Sequence, residues 1–139
     1  MLSKRKVNED EILDALPFLE DVEHAGIQEL QRFGIYSLIP KNQFITMEGD
    51  SCQFFSFVLS GKIKVYKTAE NGREITLYRI EKGQSCILTA SCILSNKKFP
   101  AISFSEEPAE VISIPSSLFL EWVGKHDFWR NYVFNLLSE

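Results

Sequence analysis

The sequence is poor in histidine and cysteine, and it lacks a long apolar run. Its three cysteines, Cys52, Cys86 and Cys92, are odd in number and form no Cys-x-x-Cys pair. This pattern argues against a disulfide framework and against a zinc site built from cysteines alone, so we expect reduced thiols. Because there is neither a run of about 18 apolar residues nor an N-terminal signal segment, we expect a cytoplasmic domain without a membrane span.

An excess of basic residues is also missing. The 15 lysines and arginines are outnumbered by 19 aspartates and glutamates, which gives a formal net charge of −4. Phosphate binding relies on clustered Lys and Arg, so this balance argues against a chain that is itself a nucleic-acid surface. We interpret the short basic runs at 4–6 and 97–98 as a solvated terminus and a loop.

What is present fits one globular domain arranged as helices, then strands, then helices. The chain has 139 residues, of which 45% are hydrophobic. We predict N-terminal helices over 8–33, a β-rich segment over 36–114 and C-terminal helices over 116–138.

Capping residues define the two N-terminal helices. Asn8 can cap the first helix, and Pro17 prevents that helix from continuing. The second helix is predicted over Val22–Phe33, with Gly34 supplying a left-handed cap at its end.

A β-hairpin is the most informative part of the β-rich segment. Residues 57–66 and 71–78 alternate between apolar and polar side chains, and Asn71-Gly72 can supply the positive φ angles of a tight turn. We expect the buried face of the hairpin to consist of four aliphatic residues, Ile63, Val65, Ile75 and Leu77.

Turn residues recur at short intervals throughout 36–114. The gaps between the predicted strands are too short to hold crossover helices, which excludes parallel βαβ units and predicts an antiparallel sandwich or barrel. We interpret Gly61, Gly72 and Gly83 as glycines that tight turns require, and not as ligand-binding residues.

The C-terminal segment reads as two helices. Ser116 or Ser117 can cap the first helix, which Gly124 ends, and Asp127 can cap the second. The second helix carries a wide apolar stripe at helical spacing. The residues of this stripe that we predict as dimer contacts are Trp129, Tyr132, Val133 and Leu136.

The order and spacing of several short segments resemble a known family. These segments are 44–50 (Phe-Ile-Thr-Met-Glu-Gly-Asp), 57–66, 71–75 (Asn-Gly-Arg-Glu-Ile), 80–83 (Ile-Glu-Lys-Gly), Ile114-Pro115 and Leu118-Phe119. Over about residues 10–137, the chain resembles the N-terminal sensory domain of the Crp/Fnr family of bacterial transcription regulators. The resemblance implies a jelly-roll of the cyclic-nucleotide-binding type, with about eight antiparallel strands around a small-molecule pocket and a C-terminal helix that dimerises.

In that family, a helix-turn-helix domain follows the dimer helix and reads DNA, and ligand binding in the roll shifts the helix. The sequence ends at Glu139. We therefore expect the chain to bind no DNA by itself, as a sensor domain cut from, or lacking, its DNA-reading partner.

The resemblance is weakest where a cyclic nucleotide would bind. Nucleotide-binding members carry a Phe-Gly-Glu turn that takes the ribose and an arginine that neutralises the phosphate, but the matching positions here are 86–88 and Phe99. A phosphodiester buried without its cation is costly, so we do not expect cyclic AMP or cyclic GMP unless Lys97 or Lys98 supplies the charge. The candidate effector pocket consists of Cys86, Leu88, Thr89, Phe99, Ala101 and Ile102.

The identity of the effector, and of any cofactor, stays open at this point. Such a pocket suits an apolar or planar molecule, including haem, for which the candidate iron ligands are Cys86, Cys92, His24 and His126. Alternatively, the thiols of Cys52, Cys86 and Cys92 sense oxidation. An iron–sulfur cluster is not expected, because residues 1–14 lack the cysteine cluster that some relatives carry there.

Two other classes of protein also stay open. A cupin-like metalloenzyme shares a similar barrel, but the predicted strands offer no His-x-His pattern for a metal, so we expect no enzyme activity. The other alternative is a dimerisation or interaction module whose pocket is filled by Leu88 and Phe99. For the last helix, we expect one part of the stripe to cover the roll and another to meet a second copy in a C2 homodimer.

Overall fold

The computed structural model describes residues 7–21 and 25–138. Its helices are α1 (Glu9–Ala15), a 3₁₀ helix (Pro17–Asp21), α2 (Ala25–Phe33), α3 (Ile87–Ser95), α4 (Ser116–Lys125) and α5 (Asp127–Leu137). Its strands are β1 (Ile35–Ile39), β2 (Phe44–Thr46), β3 (Phe54–Ser60), β4 (Ile63–Thr68), β5 (Glu74–Ile80), β6 (Ile102–Ser105) and β7 (Ala109–Pro115). Val22, His24 and the basic run at 4–6 lie outside the described residues.

The predicted cap of α1 is confirmed, whereas the predicted left-handed cap of α2 is wrong. The Asn8 side-chain oxygen accepts a hydrogen bond from the Glu11 backbone N–H at 2.9 Å. Gly34 does not have a positive φ. A Cβ at this position would instead collide with the backbone oxygen of Leu30 and the side chain of Ile112. Glycine therefore allows the end of α2 to lie directly against β7.

The strands form two antiparallel sheets, which confirms the mainly-β fold class. Sheet A has the order β1-β7-β3, and sheet B has the order β2-β6-β4-β5. Gly61, with a φ of +94°, separates β3 from β4 and sends them into different sheets. The predicted strand over 57–66 is therefore two strands, and the described residues form seven strands in place of about eight.

The hairpin of β4 and β5 is confirmed, but its predicted buried face is half wrong. The pairing shifts between Val65 opposite Tyr78 and Tyr66 opposite Thr76, so a bulge interrupts the ladder at Leu77. Leu77 and Ile75 are exposed, whereas Tyr78 and Ile80 are the more buried residues of β5. Of the two turn residues, only Gly72 has a positive φ, of +83°.

Sheet A separates two hydrophobic cores. One core packs sheet A against the helices, through residues that include Phe55, Phe57, Ile112 and Ile114. The other core lies between the two sheets and includes Val58, Val111, Ile63, Val65 and Phe99. Any internal site of the roll belongs to this second core.

The C-terminal helices have the predicted positions but not the predicted caps. Pro115 and His126 precede α4 and α5, and neither cap position makes a side-chain cap hydrogen bond. The predicted caps at Ser116, Ser117 and Asp127 are therefore wrong, and α4 continues through Gly124 to Lys125. Arg130 closes the corner instead, since its guanidinium donates to the backbone oxygens of Val123 at 3.0 Å and Gly124 at 3.2 Å.

The apolar stripe of α5 covers its own chain. Trp129, Val133 and Leu136 are buried in the helical core. Tyr132 stacks on Phe18 with ring centroids 5.4 Å apart. All four stripe residues thus pack within the chain, so their role as dimer contacts stays a prediction, and the large apolar side chains of α5 that stay exposed are Phe134 and Leu137.

Candidate functional site

A cavity of about 550 Å³ lies between the two sheets, next to α3 and the loop that joins β2 to β3. Ligand sites in proteins typically have volumes of about 300–1,000 Å³, so the cavity can hold a small organic molecule. Its lining consists of Ile35, Ser37, Ile39, Ile45, Thr46, Asp50, Ser51, Cys52, Gln53, Phe54, Ser56, Val58, Ile63, Ile80, Cys86, Thr89, Ser103, Val111 and Ser113.

The strand register explains why these residues share one space. In sheet A, Ser56 lies opposite Ser113 and Val58 lies opposite Val111. Directly paired residues point to the same face of a sheet, so β3 and β7 together present hydroxyl and aliphatic groups to the cavity. The Ser56 and Ser113 hydroxyls bond to each other at 2.6 Å.

The described lining of the cavity contains one charged side chain, and that side chain is acidic. Among the described lining residues, Asp50 is the sole charged side chain, and its carboxylate accepts a hydrogen bond from the Met47 N–H at 2.9 Å. The nearby cation is Lys98, which is exposed and whose ammonium donates to the Ser51 hydroxyl at 2.7 Å. Lys97 is also exposed and does not line the cavity.

Phe99 occupies the position where nucleotide-binding relatives need a cation. Its side chain is 1% exposed and packs in the core between the sheets. Its backbone is paired with the turn that carries Asp50, through Phe99 N–H to Asp50 O at 2.9 Å and Gly49 N–H to Phe99 O at 2.8 Å. The position of the family's arginine is therefore taken by a buried aromatic side chain whose backbone pairs with the Asp50 turn.

The structure brings together two of the six predicted pocket residues, Cys86 and Thr89, in the cavity lining. Phe99 and Ala101 are buried in the core between the sheets, and Leu88 packs against that core. Ile102 is half-buried and does not line the cavity. Phe99 and Leu88 thus fill part of the roll, as the interaction-module alternative expected, but a ligand-sized space remains on the side of sheet A.

Sequence reasoning missed the polar residues of sheet A and β6. Ser37, Ser56, Ser113 and Ser103 all line the cavity. The signal that could have found them is a small hydroxyl residue at the inward position of otherwise apolar strands, where an aliphatic side chain would be expected.

Two of the three thiols, Cys52 and Cys86, line the cavity, and Cys92 lies next to Cys52. Cys52 shares a hydrogen bond with Cys92. The Cys92 thiol donates to the Lys97 backbone oxygen at 2.6 Å, and the Cys86 sulfur lies 3.1 Å from the Tyr78 hydroxyl. Burial, assisted by the hydrogen bond to Cys92, raises the pKa of Cys52 to about 12. The Cys52 thiol therefore stays protonated at neutral pH, which disfavours attack on an oxidant.

Two tyrosines connect α3 to its surroundings. The Tyr78 hydroxyl accepts a hydrogen bond from the Leu88 N–H at 3.2 Å, and burial raises the pKa of Tyr78 well above its usual range. The Tyr132 hydroxyl on α5 donates to the Gly83 backbone oxygen at 3.1 Å and bonds the Ser85 hydroxyl at 3.0 Å. The turn that leads into α3 is thereby joined to α5.

Of the candidate iron ligands in the described residues, Cys86 lines the cavity, whereas Cys92 and His126 do not. In residues 7–21 and 25–138, no group of three or more His, Cys, Asp and Glu side chains could hold a metal ion. His126 lies outside the cavity lining, with its Nε2 atom 3.2 Å from a carboxylate oxygen of Glu29. His24, the other histidine considered as a haem ligand, lies outside the described residues.

Two antiparallel sheets around a ligand-sized cavity, with helices against the outer face of one sheet, form a β-roll. The chain belongs to the cyclic nucleotide-binding domain family, whose sequence model matches residues 38–126. The resemblance to Crp/Fnr sensory domains is thus confirmed. No curated protein sequence matches the chain significantly.

Solved structures support the same placement. A protein from Eubacterium rectale described as a transcriptional regulator of the crp/fnr family is 26% identical, with a TM-score of 0.75 over 89% of this chain and 57% of that one. The catabolite activator protein of Thermus thermophilus is 20% identical, with a TM-score of 0.72 over 88% of this chain and 56% of that one. The sensor domain of the transcriptional regulator DNR from Pseudomonas aeruginosa is 15% identical, with a TM-score of 0.73 over 93% of this chain and 85% of that one.

The chain therefore spans little more than half the length of the first two proteins. Within its described part, no helix has the length and apolar composition needed to cross a bilayer.

Proposed function

We propose that the chain is the effector-sensing domain of a Crp/Fnr-type regulator and that its effector is neither cyclic AMP nor cyclic GMP. The observation that carries the second half of this proposal is the charge of the cavity. Asp50 is the charged residue of the described lining, and buried Phe99 stands at the family's arginine position. A cyclic phosphate would lose its hydration there without gaining a cation, and it would face a carboxylate.

The first half of the proposal is supported by the family membership and by the connection between the cavity and α5. Cys86 and Thr89 place the start of α3 in the cavity lining, and Tyr132 joins the turn before α3 to α5. A ligand that moves α3 would bias the position of α5 through this connection. In a longer protein, a DNA-binding domain that follows α5 would receive the signal.

Calorimetric titration with cyclic AMP and cyclic GMP tests the nucleotide part of the proposal. We expect no saturable heat from the wild-type chain at millimolar nucleotide. Thr89→Arg, which places a cation in the lining, should increase affinity for the nucleotide, whereas its uncharged control Thr89→Gln should not. Micromolar binding by the wild type would refute the exclusion of cyclic nucleotides.

The exposed lysine beside the cavity requires its own control. If Lys98 provided the missing charge, the wild type would bind nucleotide and Lys98→Gln would lose that binding. We expect Lys98→Gln to be indistinguishable from the wild type, because Lys98 is exposed and already donates to Ser51.

A further inference from the structure

The serine at position 103 is a buried residue whose side chain belongs to the lining of the cavity. Ser103 is 5% exposed and lines the cavity from β6. Its hydroxyl makes no side-chain hydrogen bond to the part of the chain that the structure describes. The hydroxyl oxygen is not among the fully buried atoms that lack a partner, so it is accessible from the cavity and available to a group that occupies it.

Ser105, two residues further along the same strand, shows that this is not a general property of β6. Ser105 is fully buried, and its hydroxyl donates to the Pro40 backbone oxygen at 2.6 Å and accepts from the Gln43 N–H at 2.9 Å. One inward serine of β6 therefore holds the fold together, while the other contributes no such bond.

The opposite wall carries further hydroxyl groups. Ser56 and Ser113 of sheet A form a hydrogen-bonded pair at 2.6 Å, and a hydroxyl pair retains lone pairs for a further donor. The same two walls also carry aliphatic side chains, Val58 and Val111 on sheet A and Ile63 and Ile80 on sheet B. Each wall thus presents both hydroxyl and aliphatic groups to the cavity.

We propose that the cavity binds an uncharged amphipathic molecule and that Ser103 is the hydrogen-bonding anchor for its polar group. The inference rests on the proposed function, because it assigns a ligand class to the effector site. An uncharged polar group can satisfy Ser103 without the desolvation cost of an anion, and the apolar body of the ligand buries against the aliphatic lining.

Nile red, an uncharged planar dye with a carbonyl acceptor, serves as the probe. We expect saturable binding with a blue-shifted, enhanced emission. Ser103→Ala should weaken binding by about 3- to 10-fold, the loss of one net hydrogen bond, and Ser103→Thr, which keeps the hydroxyl, should restore it. Ser91→Ala, an exposed serine of α3, is the matched control and should have no effect.

Two further measurements locate the dye and test the charge preference. Thr89→Trp fills the cavity and should abolish binding, whereas Phe44→Ser removes an exposed aromatic side chain outside the lining and should not. Decanol should displace the dye, and decanoate, its anionic counterpart of the same chain length, should not.

The inference is overturned if the wild type shows no saturable dye binding, if Thr89→Trp or Ser103→Ala binds like the wild type, or if decanoate competes as well as decanol. These outcomes are separable from failure of the proposed function. Nucleotide binding is read independently by calorimetry, so a chain that binds neither nucleotide nor dye contradicts the ligand class alone.

Discussion

At the scale of single residues, the fold changes the acid–base behaviour of the Cys52 thiol. Cys52 has an ordinary thiol pKa of 9.0, which burial and the Cys92 hydrogen bond raise to about 12. The folded state therefore holds the thiol proton in a range where the unfolded chain has lost it. The stabilisation from this difference is fully present below pH 9 and is lost as the pH rises through the folded pKa.

We predict that the free energy of unfolding falls as the pH rises from 9 toward 12 and that part of this fall belongs to Cys52. Urea unfolding of the wild type and of Cys52→Ala at several pH values measures that part. The wild type should lose more stability than the variant across this window. Parallel curves would show that the thiol of Cys52 ionises as it does in the unfolded chain.

The adjacent residues Phe54 and Phe55 give a second prediction for single side chains. Phe55 is 1% exposed and stacks on Phe119 at 4.2 Å, whereas Phe54 is 48% exposed. Phe55→Ala should cost about 3–5 kcal/mol of unfolding free energy, and Phe54→Ala less than about 1 kcal/mol. Denaturant midpoints of the two variants check this, and similar losses would contradict the assignment of Phe55 to the helical core.

At the scale of the elements, Gly83 is needed both for the backbone conformation of its turn and for the close approach of that turn to α1. Both Gly72 and Gly83 have positive φ angles, of +83° and +81°. A Cβ on Gly72 would meet open space, but one on Gly83 would collide with the backbone oxygen of Ala15 at the end of α1. Gly83 therefore lets the β5–α3 turn pass directly beneath α1.

Gly72→Ala should cost about 1–2 kcal/mol, the penalty of a left-handed backbone for a residue with a Cβ. Gly83→Ala should lower the unfolding free energy clearly more than Gly72→Ala. The added methyl group carries the same backbone penalty and must also displace the end of α1. Urea unfolding of the two variants gives the comparison. Equal losses would mean that α1 moves aside freely.

The link between α5 and the α3 turn can be tested by removing one oxygen atom. Tyr132→Phe deletes the hydrogen bonds to Gly83 and Ser85 but keeps the ring that stacks on Phe18. We expect a loss of about 1 kcal/mol and faster amide exchange in α3 and α5. Tyr66→Phe on β4 is the control, and unchanged exchange in Tyr132→Phe would show that the bonds do not connect the two helices.

Features of helices and strands could be predicted where they depend only on neighbouring residues in the sequence. The Asn8 cap and the Gly72 turn follow from a few neighbouring residues and were found in the sequence. The bulge at Leu77, the close approach at Gly34 and the caps of α4 and α5 depend on partners distant in sequence. Periodicity cannot reveal such partners, so these details were predicted wrongly.

At the scale of the whole molecule, α5 keeps two large apolar side chains exposed on its surface. Phe134 is 58% exposed and Leu137 is 40% exposed, three residues apart on α5. We predict a homodimer through this pair, because the four stripe residues pack within the chain. Burial of two large apolar side chains in each protomer would stabilise such an interface.

Sedimentation equilibrium at micromolar concentration measures this prediction. The wild type should be dimeric, and Phe134→Glu should weaken the dimer by at least about tenfold, which is about 1.4 kcal/mol. Leu120→Glu, at a similarly exposed apolar position on α4, is the control and should leave the dimer intact. A wild type that is monomeric throughout would contradict the assignment.

The candidate site was predictable only in outline. The sequence indicated a roll with a pocket and without the nucleotide's cation, and it named Cys86 and Thr89, which line the cavity. It did not indicate that a ligand-sized space would remain beside the buried Phe99, or that serines from sheet A would line that space. Which residues fill the roll and which line the cavity depends on how the two sheets face each other, and this arrangement is set by contacts between strands distant in sequence.

The stacked pair of Trp122 and Trp129 has a consequence for observing this protein in solution. These are the two tryptophans of the sequence, and their rings lie 5.1 Å apart with 15° between their planes. All intrinsic tryptophan emission therefore comes from the seam between α4 and α5, and two indoles this close should give an exciton couplet in circular dichroism. A displacement of α5 would change both signals, so the terminal helix reports its own movement without an added label.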